Sequence, residues 1–334
     1  MRIIAGILLG LCLAAGLPAA RTLDFYFIDV EGGQATLIVT PAGQSMLVDC
    51  GWPGFEGRDA RRIQAAAKLA GVRKIDYLLV THYHTDHVGG VPQFLELMPV
   101  GTVIDHGSNT ETGKNALALS KAYEEAITRF KRLTVKAGDS LPLKGVGTQI
   151  VAARGELIPE PLPGAGAGNP LCAAEQRRAE DKTENARSIG FILRYGKFRF
   201  IDLADLTWNK ELDLVCPRTK LGTVDVYLVT HHGMNLSGPS AIVHSLHPRV
   251  AIMNNGAKKG GSPETFQILR QSPGLEDIWQ LHYALAGGEE NNPPDAFIAN
   301  TSPDCAGKWL KLSVDKSGGF TVENSRNNYR KTYK

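Results

Sequence analysis

Apolar positions recur in two rhythms along this chain of 334 residues. LDFYFIDV (23–30), ATLIVT (35–40) and SMLVDCG (45–51) read as strands, separated by EGGQ and PAGQ, the glycine-bearing turns that hairpins require. RDARRIQAAAKLAGV (58–72) switches to helical spacing and stops at Gly71. IDYLLV (75–80) is a continuous apolar run, as expected of a strand buried on both faces. VPQFLELM and KNALALSKAYEEAITRF predict helices, with TVID (102–105) a short strand between them.

From Val146 the pattern partly repeats: TQIVAA, SIGFILRYG, FRFIDLADL, a helix-like WNKELDLV, then VDVYLVTHHG. Two β-rich halves, each ending in a buried strand and a histidine-bearing turn, predict two sheets packed face to face with helices outside. Residues 155–184 interrupt this order. GELIPEPLPGAGAGNP is rich in proline and glycine and AAEQRRAEDKTE is charged, so an exposed inserted loop is expected there rather than a domain boundary. The tail, through VAIMNN, a helix at PETFQILRQ, DIWQLH, DAFIAN and WLKLSV, is expected to complete the second half. Residues 21–334 thus read as one α/β domain.

A hydrophobic content of 43% supports a substantial core, and a formal charge of +3 is too near neutral to imply a polyanionic partner. The first twenty residues read as an export signal. Arg2 supplies the positive start, IIAGILLGLCLAAGL the apolar stretch and Pro18-Ala19-Ala20 a small-residue exit, with cleavage expected near Ala19 or Ala20. The run is short for a spanning helix, so the expectation is a secreted or periplasmic protein with no stable membrane insertion. Removing Cys12 leaves Cys50, Cys172, Cys216 and Cys305. Sequence cannot choose among their pairings, but Cys50 in LVDCG reads as a buried residue, so a disulfide is expected between two of the other three.

The chemistry concentrates in THYHTDHVGG (81–90). His82 and His84 stand on alternate residues of an extended strand end, hence on one side, and Asp86 and His87 follow where the chain turns into a helix. Imidazole and carboxylate suit zinc, manganese or iron. His106 and His282 follow apolar runs and read as satisfied core or pocket-wall histidines, and His244 and His247 as ordinary helix-surface residues. Lys258-Lys259 with Gly260-Gly261 is either an anion cradle or a solvated turn.

THYHTDHVGG resembles the THxHxDHxGG signature of the metallo-β-lactamase superfamily, with LVDCG, FIDLADL and LVTHHG similar to its other motifs. The resemblance implies a four-layer αββα sandwich. It implies metal ligands at His82, His84, Asp86, His87, Asp205 and His231, with Asp202 a rival to Asp205 and Asp49 orienting the metal-binding loop. A closer likeness is to the hydrolase-like domain of ComEC-type DNA-uptake proteins. It rests on Asp29-Val-Glu-Gly-Gly-Gln-Ala35, Asn185-Ala-Arg-Ser188 and His231-His232-Gly233-Met234, and the chain reads as a free-standing exported relative. Gln34, Met234 and Ser262 depart from that family's pattern. The resemblance implies two zinc ions, or manganese or iron. The position of His82, His84 and Asp205 lacks a third histidine, for which Asn185, Glu184 or a water must substitute. Asp86 or Asp205 would orient the attacking water, and His232 would donate to a phosphate oxygen or leaving group.

The implied activity is metal-dependent hydrolysis of phosphodiester bonds in a small-molecule or nucleic-acid-like substrate. The alternatives are an amide or ester hydrolase acting on a β-lactam or lactone, and a non-catalytic metal-binding scaffold. The retention of so many costly polar groups in one place speaks against the scaffold.

Overall fold

Alternation in the first strand sets the architecture. Leu23, Phe25 and Phe27 face one apolar cluster while Tyr26 and Ile28 face another. The computed structural model describes residues 22–334, so the leader read from residues 1–20 lies outside the described residues. Among the described residues the strands form two sheets, of nine and eight strands. The first runs Arg330–Tyr333, Phe320–Asn324, Leu310–Val314, Leu23–Phe27, Thr36–Val39, Ser45–Val48, Ile75–Leu79, Val100–Asp105 and Lys131–Thr134. The second runs Ile298–Asn300, Asp277–His282, Val250–Met253, Val226–Leu228, Phe198–Asp202, Gly190–Tyr195, Gly147–Ala153 and Glu156–Leu157.

The layers follow from side-chain period. One apolar cluster takes Phe25, Phe27 and Val48 from the first sheet and Phe191, Phe200, Leu228 and Ile252 from the second, so it lies between them. The opposite faces bury Leu47, Leu78 and Val103 under the helices Arg58–Leu69, Val91–Leu97 and Lys114–Ile127. They likewise bury Ile201, Tyr227 and Ala251 under Trp208–Val215, Ser240–Leu246 and Pro263–Arg270. This is the αββα sandwich.

Four strands differ from the sequence reading. Lys131–Thr134 is wholly exposed and carries no alternation, as suits an edge strand protected by Lys131 and Arg132. The tail completes the second sheet through Val250–Met253, Asp277–His282 and Ile298–Asn300, but its later strands leave it. Leu310–Val314 pairs antiparallel with Leu23–Phe27, and Phe320–Asn324 and Arg330–Tyr333 extend the first sheet beyond it.

Ser45–Val48, Ile75–Leu79 and Val100–Asp105 run parallel, as do Phe198–Asp202, Val226–Leu228, Val250–Met253 and Asp277–His282. Their carboxyl ends share one rim of the sandwich, where open α/β sheets bind ligands. Asp49, His82, Asp205, His231 and Lys259 all follow those ends.

The 155–184 segment is mostly exposed but anchored. Ile158 and Leu162 are buried, and Cys172 is joined by a disulfide to Cys216 at the end of the Trp208–Val215 helix. Cys50 is buried and free, and Cys305 is the other free thiol among the described residues. Replacing Cys172 and Cys216 together by serine is expected to cost about 2–4 kcal/mol of stability, given the 44-residue separation. Limited proteolysis should then cut first within 155–184, at unchanged far-ultraviolet circular dichroism.

Candidate metal centre

The Ile75–Leu79 strand delivers Val80, Thr81 and His82 into the interior, all 0% exposed. Asp49, in a left-handed conformation (φ 60°) after Ser45–Val48, accepts from the Thr81 N–H at 2.8 Å and hydroxyl at 2.7 Å. It also meets His87 Nδ1 at 2.8 Å. That contact puts a ring proton on His87 Nδ1 and turns Nε2 toward the cluster, the usual carboxylate–imidazole arrangement behind a metal ligand. The Thr81 hydroxyl proton is committed to Asp49, so His82 Nδ1, 3.1 Å away, must donate to that oxygen. His82 Nε2 is left buried with no hydrogen-bond partner.

The second half contributes from two turns. Phe198–Asp202 leads to Asp205, which is buried, and Val226–Leu228 leads to Thr230–Gly233. His231 (φ 56°) and His232 (φ 55°) are consecutive left-handed residues, a conformation costing roughly 1–3 kcal/mol each for a residue with a side chain. The consequence is that the two neighbours grip Asp205 from opposite oxygens. His231 Nε2 lies 3.4 Å from Oδ2 and His232 Nε2 3.3 Å from Oδ1. His231 Nδ1 is 3.2 Å from Ser237 Oγ, whose own proton goes to the Leu206 carbonyl. Ser262 pins this turn by accepting the Asn235 N–H at 3.2 Å.

Asp86 Oδ2 lies 3.3 Å from His87 Nε2 and 3.2 Å from His232 Nε2, and the two imidazole nitrogens are 3.2 Å apart. Ligand atoms of Asp86, His87, Asp205 and His232 all fall within 4.8 Å of one another. His82 Nε2 reaches to 3.9 Å of Asp205 Oδ2, on the same oxygen as His231. His84 stands apart, with its Nε2 3.1 Å from Glu111 Oε1. Asp202 is also apart, bonded to Gln34 Nε2 at 2.9 Å and to the Ala204 N–H. Burial, with Asp49 nearby, pushes its carboxyl up to about 7.

His232 therefore stands among the candidate ligands rather than behind them, where the sequence reading set it. His231 sits on the side of Asp205 that lacked a third histidine. Asn185 adjoins it, with Nδ2 3.5 Å from His231 Nε2 and Oδ1 buried without a partner. Glu184 is not available there: it bonds His106 Nε2 at 2.9 Å and the Thr110 N–H at 2.9 Å. His106 and His282 each set Nε2 against a carboxylate, while their Nδ1 atoms are buried without a partner. Sequence reasoning weighed Lys259 without its role. The ammonium contacts Asp86 Oδ2 and lies 5.2 Å from the Trp52 ring.

The electrostatics suit a cation. Burial disfavours charge on Asp86, yet His87, His232 and Lys259 hold it well below the usual carboxylate range. Burial likewise opposes ionisation of Asp205, and His232, His231 and His87 overcome it. Burial drives His82 well below its ordinary value and lowers His231, so both stay neutral and able to ligate. Two buried carboxylates, convergent imidazole nitrogens and an orphaned His82 Nε2 are the donor set that zinc, manganese or iron takes.

Residues 28–177 match the family model of the Metallo-beta-lactamase superfamily, a stretch that contains His82, His84, Asp86 and His87. A UPF0173 metal-dependent hydrolase from Cupriavidus taiwanensis is 24% identical over 272 residues, covering 76% of this chain and 82% of the relative. A Ribonuclease Z from Bradyrhizobium diazoefficiens is 39% identical over 62 residues, 19% of this chain and 18% of that one. Among solved structures, the metallo-beta-lactamase fold protein YhfI from Bacillus subtilis is similar at a TM-score of 0.46 and 11% identity, covering 78% of this chain and 96% of that one. Residues 28–177 thus resemble a metallo-beta-lactamase superfamily domain, and the buried cluster at Asp86, His87, Asp205 and His232 could hold a metal ion.

Two measurements check this site. Asp49→Asn should weaken metal binding roughly 10–100-fold, because it removes the carboxylate that orients His87 and, through Thr81, His82. His232→Ala should lose as much metal as His87→Ala by elemental analysis; full retention would return His232 to the outside of the cluster. The turn behind the site adds a pH dependence. Glu211 is buried against the Gly238 N–H, and burial pushes its carboxyl up to about 8. Its folded value exceeds the unfolded one of about 4.3, so its contribution is complete below that pH and is lost as pH rises through 8. Glu211→Gln should flatten the fall in melting temperature between those limits.

Proposed function

We propose that the protein is a metal-dependent hydrolase of phosphodiester bonds that acts outside the cytoplasm. The observation that carries this reading is the buried Asp86, His87, Asp205 and His232 cluster with the Lys259 ammonium at its mouth. Asp86, His87, His232 and Asp205 would hold one ion. His82, His231 and Asp205 would hold a second, with Asn185 and His84 the further groups available to it. When bound, such ions supply Lewis acidity and a water acidified toward neutrality.

The chain's own residues divide the remaining work. Asp49 and Ser237 fix the imidazole tautomers. Asp86 and Asp205, kept ionised, accept hydrogen bonds from an attacking water and hold it in line. Lys259, free to swing from Asp86 once a cation neutralises that carboxylate, would bind a non-bridging phosphate oxygen, with Trp52 walling that side. A phosphodiester, unlike a lactam or lactone ring, carries negative charge at the reacting group before and during reaction, so a fixed cation beside the ions contributes more to it. The local likeness to Ribonuclease Z supports the same class. The signal read from residues 1–20 and the Cys172–Cys216 disulfide support action in an oxidising compartment.

The test is hydrolysis by metal-loaded protein of bis(p-nitrophenyl) phosphate and single-stranded nucleic acid, beside a chromogenic cephalosporin and a lactone. Turnover of the phosphodiesters is expected, abolished by chelation. Lys259→Gln should raise KM about tenfold or more at low salt, with less effect on kcat. Opening of the lactam or lactone with phosphodiesters untouched would overturn the substrate class and leave the hydrolase standing.

A further inference from the structure

Outside the candidate metal centre, four ligand-type side chains from distant parts of the chain meet beyond the Leu23–Phe27 strand. Asp29 Oδ1 is 2.7 Å from His282 Nε2, and Glu31 Oε2 is 3.5 Å from the same nitrogen. Cys305 Sγ is 3.1 Å from Asp29 Oδ2 and 3.3 Å from Glu31 Oε1. All four ligand atoms lie within 4.8 Å of one another, and Asp29 and His282 are 0% exposed. A thiol has one proton and cannot satisfy two carboxylate oxygens with it.

Arg62 is the compensating cation that the fold provides. Its Nη1 is 2.9 Å from Asp29 Oδ2, 3.1 Å from Glu31 Oε1 and 3.2 Å from the Asp29 carbonyl, and Nη2 is 3.4 Å from the Cys305 carbonyl. One guanidinium balances only one of the two carboxylates. With the thiol ionised there are three negative charges, and a divalent ion added to Arg62 brings the cluster to neutrality. The guanidinium keeps its two carbonyl contacts in that state and acts as an outer partner to the carboxylates.

We propose that Asp29, Glu31, His282 and Cys305 form a structural site for a thiophilic divalent cation of the zinc class, separate from the candidate metal centre. One sulfur, one nitrogen and two carboxylates at this spacing match a four-coordinate zinc set, with bonds of about 2.0–2.3 Å after modest contraction. Bound there, the ion fastens the Asp29–Gln34 turn to the end of Asp277–His282 and to the 301–309 loop. That turn matters to the other site, since Gln34 donates its N–H to the Asp86 carbonyl at 3.1 Å. On the other side Asn255, four residues before Lys259, donates to the His282 carbonyl at 2.8 Å. The ion clamps both segments that flank Asp86 and leaves no position open for a substrate.

Sulfur separates this site from the other by spectroscopy, because the candidate metal centre has only nitrogen and oxygen donors. The purified full chain, stripped by chelation and reloaded with cobalt(II), is expected to show a near-ultraviolet thiolate-to-cobalt band. The band should persist in His87→Ala and Cys50→Ala and vanish in Cys305→Ser, which should also bind one fewer zinc by elemental analysis. Should Cys305→Ser misfold, alkylation of Cys305 in wild type, mapped by mass spectrometry, gives the same answer: zinc should slow it at least tenfold. Absence of the band in cobalt-loaded wild type, its survival in Cys305→Ser, or alkylation indifferent to zinc would overturn the proposal.

Discussion

Asp205 is the contact through which the two halves of the chain become one site. Its Oδ2 faces His82 and His87 from the first sheet and His231 from the second, while Oδ1 faces His232. A carboxylate sealed from water is costly unless positive charge shares the space, and the nearest ammonium is committed to Asp86. Much of the local backbone serves that arrangement. Asp49, Ala204, His231 and His232 all adopt left-handed conformations, spending strain to bring side chains from separate loops onto one carboxylate.

What could be read from the sequence was what local chemistry writes locally. Period-two alternation from Leu23 to Val48 and the apolar run before Thr81 announced buried strands, and the histidine spacing announced ligands. Lys131–Thr134 was illegible because an exposed edge strand has no face to bury. The strands at Phe320–Asn324 and Arg330–Tyr333 were missed because their pairing is decided by tertiary register, not by a turn signal. The roles of His231 and His232 were indistinguishable in sequence. Two adjacent residues point apart in most conformations, and only the left-handed turn shows which oxygen of Asp205 each one meets. Likewise, Asp29, Glu31, His282 and Cys305 span nearly the whole chain, and no spacing rule joins them.

The Asp29–Gln34 turn shows how a family-like motif can be kept while its chemistry changes. Gln34 stands where the resemblance expects an acid, and it is used as a pin: its side chain bridges Asp202 and Asn254 while its N–H holds the Asp86 carbonyl. A neutral amide can donate to one partner and accept from another, which a carboxylate cannot. A second acid there would sit against Asp202, adding like charge to a carboxyl already raised by burial.

The return of the tail to the first sheet has a kinetic meaning. Leu23 pairs with Val314, so the strand that starts the described chain has an open flank until the last strands have been made. During synthesis the first half carries an apolar, unpaired edge, the feature most prone to pairing with another chain. Contacts between residues so far apart also close late and slowly. Truncations that remove these last strands uncover the Leu23–Phe27 edge and should aggregate rather than merely weaken.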